Sequence, residues 1–265
     1  MLGGRTANGI TTFSRDEYDD HQKTLSSKKE WPGVNIKTGS QVTFNGPMLV
    51  MELHRLVPFK DNRYISFHPF NMPYIKVRKI ELVGIVTNVK HSVKDLFLTI
   101  EDGTGVIQVN YKLQEYKSLL KQRNEINEKY RNEAENLKTF GAKADKSSLK
   151  KFPDIRPHFS YPRNVSPHDI AVLENKWSQE TNGGLLGKTI QPLDYVYVIG
   201  YPTIDTQFQK VPEKVTADFI EHSRIIVFAM SLKCITEEMY NKKLLTWLNT
   251  IIRQRYTDNK DEKEI

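Results

Sequence analysis

Two carboxylates and two glycines crowd the stretch LTIEDGTGVIQV, Leu98 to Val109, in which Glu101 and Asp102 run into Gly103 and Gly105. Side chains of these types can do acid/base work, cradle a phosphate, or turn the chain. Adjacent strand positions point to opposite faces, so Glu101 and Asp102 do not readily share one substrate. Gly103-Thr104-Gly105 leads into the alternating VIQVNYKL, where a phosphate loop would lead into a helix. Asp-Gly is a strong hairpin signal because glycine supplies positive φ, so the stretch reads as a turn that Asp102 helps to hold.

Other catalytic patterns are missing from the sequence. The seven histidines, at 21, 54, 68, 91, 158, 168 and 222, show neither HxxH nor HExxH spacing, and no GxSxG occurs. Cys234, the single cysteine, rules out a disulfide framework within the chain and reads as a buried thiol in the apolar run LKCI. No enzyme, metal or cofactor is expected. The chain has 265 residues and a formal charge of +7, enough for a sizeable core and a mild lean toward polyanions. No run approaches the roughly 18 apolar residues of a membrane span, and no signal-peptide core is written at the N-terminus. A soluble, intracellular protein without a membrane partner is expected.

These residues need elements to position them. The first 70 residues read as an N-terminal extension, partly disordered to about residue 40, with apolar runs at Met48–Leu56 and Tyr64–Phe67. From Tyr74 the sequence YIKVRKIELVGIVTNVKHSV is one long strand whose interior Gly84 marks a bend, followed by LFLTI, the turn, and VIQVNYKL. A charged, weakly amphipathic helix follows, carrying Leu113, Tyr116 and Leu120 and then, after a slip, Ile126, Tyr130, Ala134 and Leu137. Four prolines between 153 and 167 make a long loop, and Ser166-Pro167 caps a second helix that Asn182-Gly183-Gly184 stops. Two strands, YVYVIGYPTI and RIIVFAMSLKCI, precede a helix opened by Thr236 and striped with Tyr240, Leu244, Trp247, Leu248 and Ile251.

Three strands, a helical insertion, two strands and a helix make a mainly β protein: a five-stranded Greek-key barrel of the oligonucleotide-binding (OB) type. The barrel domain is placed at 71–235 with its insertion at 114–193, the C-terminal helix at 236–256, and a disordered tail at 257–265. On the face of the second and third strands, Phe97, Thr99, Gln108, Asn110 and Lys112 suit stacking or phosphate contact, with Lys76, Arg78 and Lys90 on or beside the first strand. Phe97 and Tyr111 can equally serve the core, since alternation slips at bulges. The apolar arc of the last helix, widened by Leu245 and Ile252, can pack on its own barrel; its width and terminal position favour a partner surface.

The segment FNMPYIKVRKIELVGIVTNVKHSVKDLFLTIEDGTGVIQVNY resembles the first three strands of the OB family that contains the Stn subunit of the telomere-capping CST complex and, more distantly, the middle subunit of replication protein A. The likeness rests on the proline-led entry Met72-Pro73-Tyr74-Ile75-Lys76-Val77, on Leu82–Val86, and on the D-x-T-G turn at Asp102–Gly105, with YVYVIGYP similar to the family's fourth strand. It implies pairing with a small, Ten-type OB subunit through Tyr240, Leu244, Trp247, Leu248 and Ile251. It further implies a large CST subunit, telomeric single-stranded DNA and DNA polymerase alpha–primase as partners, and a place in the nucleus at chromosome ends. No winged-helix repeats follow Arg255, and the insertion is longer than a simple barrel needs. Two competing readings are an anticodon-binding OB domain of a class II aminoacyl-tRNA synthetase and an OB scaffold that binds only proteins.

Overall fold

A strand of seventeen residues, Ile75–His91, exchanges one set of neighbours for another about Gly84, and a barrel closes around it. The computed structural model describes residues 5–7, 10–12, 34–35, 42–70, 72, 75–137 and 157–256. In chain order the strands are β1 (Arg5–Ala7), β2 (Ile10–Thr12), β3 (Val34–Asn35), β4 (Val42–Pro47), β5 (Leu56–Asp61) and β6 (Tyr64–Pro69). They continue with β7 (Ile75–His91), β8 (Asp95–Glu101), β9 (Val106–Lys112), β10 (Tyr195–Ile204) and β11 (Ile225–Ile235). The helices are α1 (Val50–His54), α2 (Leu113–Glu135), α3 (Pro167–Glu180), α4 (Ala217–His222) and α5 (Glu237–Trp247), the last continuing through a π-turn (Leu248–Ile252) into α6 (Arg253–Tyr256).

β7, β8 and β9 form an antiparallel meander, and β11 joins β9 in parallel over Val227–Ala229. β10 pairs antiparallel with both β11 and β7, which returns the sheet to its start. The order 7-8-9-11-10-7 is a closed, mixed, five-stranded barrel, the OB fold expected from the sequence, with the insertion between its third and fourth strands and the helix after its fifth. Leu96, Leu98 and Ile100 of β8 and Ile107, Val109 and Tyr111 of β9 alternate into the core. Gly84 permits the closure: a Cβ there would stand 2.4 Å from Ile100 Cγ2 and 2.7 Å from the Glu101 carbonyl oxygen.

Residues of the extension are built onto this barrel. β4 runs parallel to the first half of β7, on the edge that β8 takes further along, and the β5–β6 hairpin joins the opposite edge at Phe67↔Val77. Between β4 and β5, α1 is too short to persist alone and is held from outside. The Asp102 carboxylate accepts from Val50 N at 2.8 Å, and Thr104 Oγ1 accepts from Met51 N at 3.1 Å, so the D-x-T-G turn receives the free amides that open the helix. Gly105 lets the two approach, since a Cβ there would lie 3.0 Å from Val50 Cγ1. From the other side Arg255 donates to Glu52 Oε1 and Oε2 at 3.0 and 2.9 Å and to the Pro47 carbonyl at 2.6 Å, with its side chain wholly buried. Burial, with the Glu52 carboxylate alongside, pushes the Tyr256 phenol up to about 12. Within the first 40 residues only β1, β2 and β3 are described, so the disorder expected there, like that of the tail from 257, lies outside the described residues.

The insertion carries a core of its own. Leu113 and Tyr116 of α2 close the barrel core, whereas Ile126, Tyr130 and Ala134 pack with Phe159, Leu173 and Trp177 of the following segment and α3. The slip in the apolar spacing between Leu120 and Ile126 is therefore where α2 passes from one core to the other. Trp177 Nε1 donates to Asn127 at 2.9 Å, and Tyr130 and Lys129 both reach Glu180. Ser166 caps α3 as read, accepting from His168 N at 3.2 Å. Much of the proline-rich loop, 138–156, lies outside the described residues.

Gly84→Ala is expected to destabilise the fold by about 2 kcal/mol or more, because the methyl meets backbone that cannot yield, and urea denaturation would show it as a lower midpoint. Arg255→Met should cost about 3–5 kcal/mol by stranding the buried Glu52 carboxylate, while Glu52→Leu combined with Arg255→Met recovers a large part of that loss in the same assay.

Candidate nucleic-acid interface

The turn that opened the sequence question does structural work with both carboxylate oxygens of Asp102. Oδ1 accepts from Thr104 N at 2.8 Å and Thr104 Oγ1 at 2.7 Å, and Oδ2 is taken by Val50 N, while Glu101 points to solvent. The sequence also holds the tripeptide Gly187-Lys188-Thr189, the ending of a phosphate loop. It runs into coil and then β10, with no helix to bind a phosphate, and Lys188 is tied to Asp194 at 2.5 Å. Among the described residues no group of three or more His, Cys, Asp or Glu could hold a metal ion, and no helix is long and apolar enough to cross a membrane.

The outer face of β8 and β9 is where chemistry-bearing side chains assemble. Strand pairing sets Lys90, Phe97, Asn110, Phe228 and Tyr201 in one transverse row, since Lys90 opposes Phe97, Phe97 opposes Asn110, Asn110 opposes Phe228, and Phe228 opposes Tyr201. Directly paired residues share a face, and their neighbours Val89, Leu98, Val109, Val227 and Pro202 point inward. Of the two rings that could serve the core, Phe97 thus stands outside the barrel and Tyr111 inside. A second row holds Asn88, Thr99 and Gln108, and Lys112 opposes Asp95 at the end of the face. Thr87, an extra residue on β7, re-aims the strand so that Asn88 and Lys90 face outward.

Phe228 and Tyr201 were not among the candidates from sequence, yet their rings stack at 5.4 Å and 26°. Tyr201 shares the outward face of β10 with Tyr195 and Tyr197, a set that alternation in YVYVIGYP displays, but those two are covered by α5 and Tyr201 is open. Polar contacts lead from the row to the β10–β11 connection. Gln108 donates to Asn110 at 2.9 Å and accepts from Arg224 at 3.4 Å, and Arg224 lies 5.8 Å from the centre of the exposed Phe208 ring and 3.6 Å from the buried Asp205 carboxylate. Asp205 in turn shapes the foot of that connection by accepting from Gln207 N at 3.1 Å.

The structure does not bring Lys76 and Arg78 to this face. Both belong to the half of β7 that borders β4 and the hairpin, and Lys76 is ion-paired with Asp61 of β5. The stripe expected to meet a partner, on the last helix, lies mostly against the chain itself. Tyr240 and Trp247 are buried, and Leu244 and Ile251 pack beside them on Leu49, Val83 and Ile235 of the chain's own body. Tyr195 meets Tyr240 at 5.0 Å, and Tyr197, whose phenol is pushed up by burial and by its hydrogen bond to Glu81, meets Trp247 at 6.5 Å. The π-turn inserts a residue, so the inward face passes from Trp247 to Ile252 and then Arg255. Of the five stripe residues only Leu248 is exposed, and it lies one turn from the exposed Leu245.

A cleft of about 330 Å³ lies between α2, the 182–190 segment and the end of β11, with Cys234 in its wall. Burial pushes the Cys234 thiol up to about 11, which leaves almost no thiolate near neutrality.

No protein-family model matches the sequence, and no curated protein matches it. Among solved structures, the chain is similar to the S. pombe Stn1–Ten1 complex, with 12% identity over 79% of this chain and 93% of that one and a TM-score of 0.40. It is also similar to a replication protein A heterotrimer bound to single-stranded DNA, with 11% identity, 78% and 93% coverage and a TM-score of 0.37.

Cys234 is expected to resist a thiol-disulfide reagent at pH 8 in the native protein and to react at once after unfolding in urea, as followed by reagent absorbance.

Proposed function

We propose that the chain is a non-enzymatic OB subunit that lays single-stranded DNA across the outer face of β8, β9 and β11. The observation that carries the proposal is the row Lys90, Phe97, Asn110, Phe228 and Tyr201, which sets three rings with a cationic and an amide group across all five barrel strands. Rings accept any base by stacking, and the flanking Lys112 and Arg224 supply charge for the phosphates. The entry at Met72 and the D-x-T-G turn support placing it with the Stn subunits, and so in a telomere-capping assembly that protects the single-stranded end and supports lagging-strand fill-in. In that setting a small OB partner would take the outer side of the last helix at Leu245 and Leu248, which its own barrel leaves exposed. Nuclear residence and contact with a large CST subunit follow from the same proposal.

Fluorescence anisotropy with a G-rich telomeric-type single strand over a salt series tests it. Binding should weaken steadily as salt rises, and Phe97→Ala or Phe228→Ala should each weaken it by about 5- to 150-fold, the worth of one stacked base. Absence of binding at every salt concentration would leave the face to a protein and defeat the proposal.

A further inference from the structure

A run of positive charge lies on the β5–β6 hairpin and the adjoining half of β7, next to β10 at the Tyr201 end of the outer row. Across Leu56–Pro69 and Ile75–Ile80 the cations are Lys60, Arg63, Lys76, Arg78 and Lys79, against the single anion Asp61, which Lys76 occupies. Arg78 and Lys79 are neighbours in a strand and yet both are exposed. The cause is a bulge: Phe44 opposes Val77 and Asn45 opposes Lys79, so Arg78 is an extra residue turned out of the ladder. The bulge follows directly on the Phe67↔Val77 pair, which sets it next to the hairpin. Rings accompany the charge, for Tyr64 is 76% exposed at the hairpin turn and Phe59 packs against His68 at 5.6 Å.

A chain of contacts joins this patch to the outer row. Gln108 meets Arg224, Arg224 lies by Phe208 in the β10–β11 connection, and Lys60 at the hairpin tip donates to the Pro212 carbonyl of that same connection at 3.2 Å. β6 also runs alongside β10, where β10 has left β7 and carries Tyr201 outward. Resting on the proposed function, we infer that the single strand continues from the β8–β9 face past the β10–β11 connection onto the hairpin. There Arg63 and Arg78 hold its phosphates, and Tyr64 offers one further stacking surface. The hairpin thereby lengthens the footprint, since the outer row alone spans one barrel width.

Oligothymidylates of about 8 and about 20 nucleotides, one within and one beyond the usual footprint of one OB fold, separate the two parts in the full chain. The wild-type protein should bind the longer strand roughly 10-fold tighter than the added binding registers alone provide. Arg63→Glu combined with Arg78→Glu should leave the short strand unaffected and keep on the long one only the gain that added registers provide. Its salt slope on the long strand should fall by about 1.4, the worth of two single-strand phosphate contacts. Arg63→Gln with Arg78→Gln, thermal melting matching wild type, should move both readouts the same way by a smaller amount. A double variant that keeps the wild-type length gain overturns the inference, while loss of binding at both lengths in Phe97→Ala leaves the outer-row proposal standing. A wild-type chain that binds neither length, or a Phe97→Ala that binds both unchanged, overturns that proposal and this inference with it.

Discussion

The ion pair between Glu52 and Arg255 is buried beyond the reach of water, and it decides which surface of the barrel stays open. Two charges in that position are costly unless every lone pair and proton is met. Here Leu49 N and the Tyr256 hydroxyl also reach Glu52, while the Pro47 carbonyl and the Phe44 ring, 4.8 Å from the guanidinium, attend to Arg255. The pair ties the last described turn of the chain to a five-residue helix near residue 50, and so holds α5 and its π-turn across the outside of β7 and β10. Tyr195 and Tyr197 are covered in consequence. Among the described residues, β8, β9 and the first half of β11 keep their outer face free.

β7 distributes the molecule's chemistry along its length. Gly84 hands the strand from its early neighbours to β8, and the bulges at Arg78 and Thr87 aim one cationic group toward the hairpin and another toward the meander. One strand thus serves a basic edge and a stacking face without any change in its core-facing residues. The D-x-T-G turn performs the matching task at the far end of β8. It reverses the chain through Gly103, at φ +85°, and the same four residues receive the N-terminus of α1.

The insertion shows how a charged helix can be ordered by little apolar area. α2 spends its first turns on the barrel and its later turns on α3, so neither core needs a full stripe. Hydrogen bonds that link Asn127, Lys129 and Tyr130 with α3 sit at the border of the second core, and Gly187, at φ +60°, comes so close to the backbone of Leu119 that no side chain fits between them. That approach shapes the wall of the cleft beside Cys234.

Alternation alone determined the strands of the meander, the inward set from Leu96 to Tyr111 and the outward placement of Thr99, Gln108 and Asn110, because a period of two leaves little choice once one face must be dry. The five-strand order with its insertion and final helix was legible for the same reason, as were the Gly84 bend and the Ser166 cap, which are local. What the sequence could not contain was the identity of partners far along the chain. Asp102 bonds an amide 52 residues away and Arg255 a carboxylate 203 away, and no local pattern encodes such meetings. The stripe from Tyr240 to Ile251 announces a buried face without saying what buries it; only packing showed that the barrel does. Phe228 and Tyr201 became one stacking surface because β10 and β11 pair in that register, and two bulges on β7, which a periodicity cannot foresee, put Lys90 with them and Arg78 elsewhere.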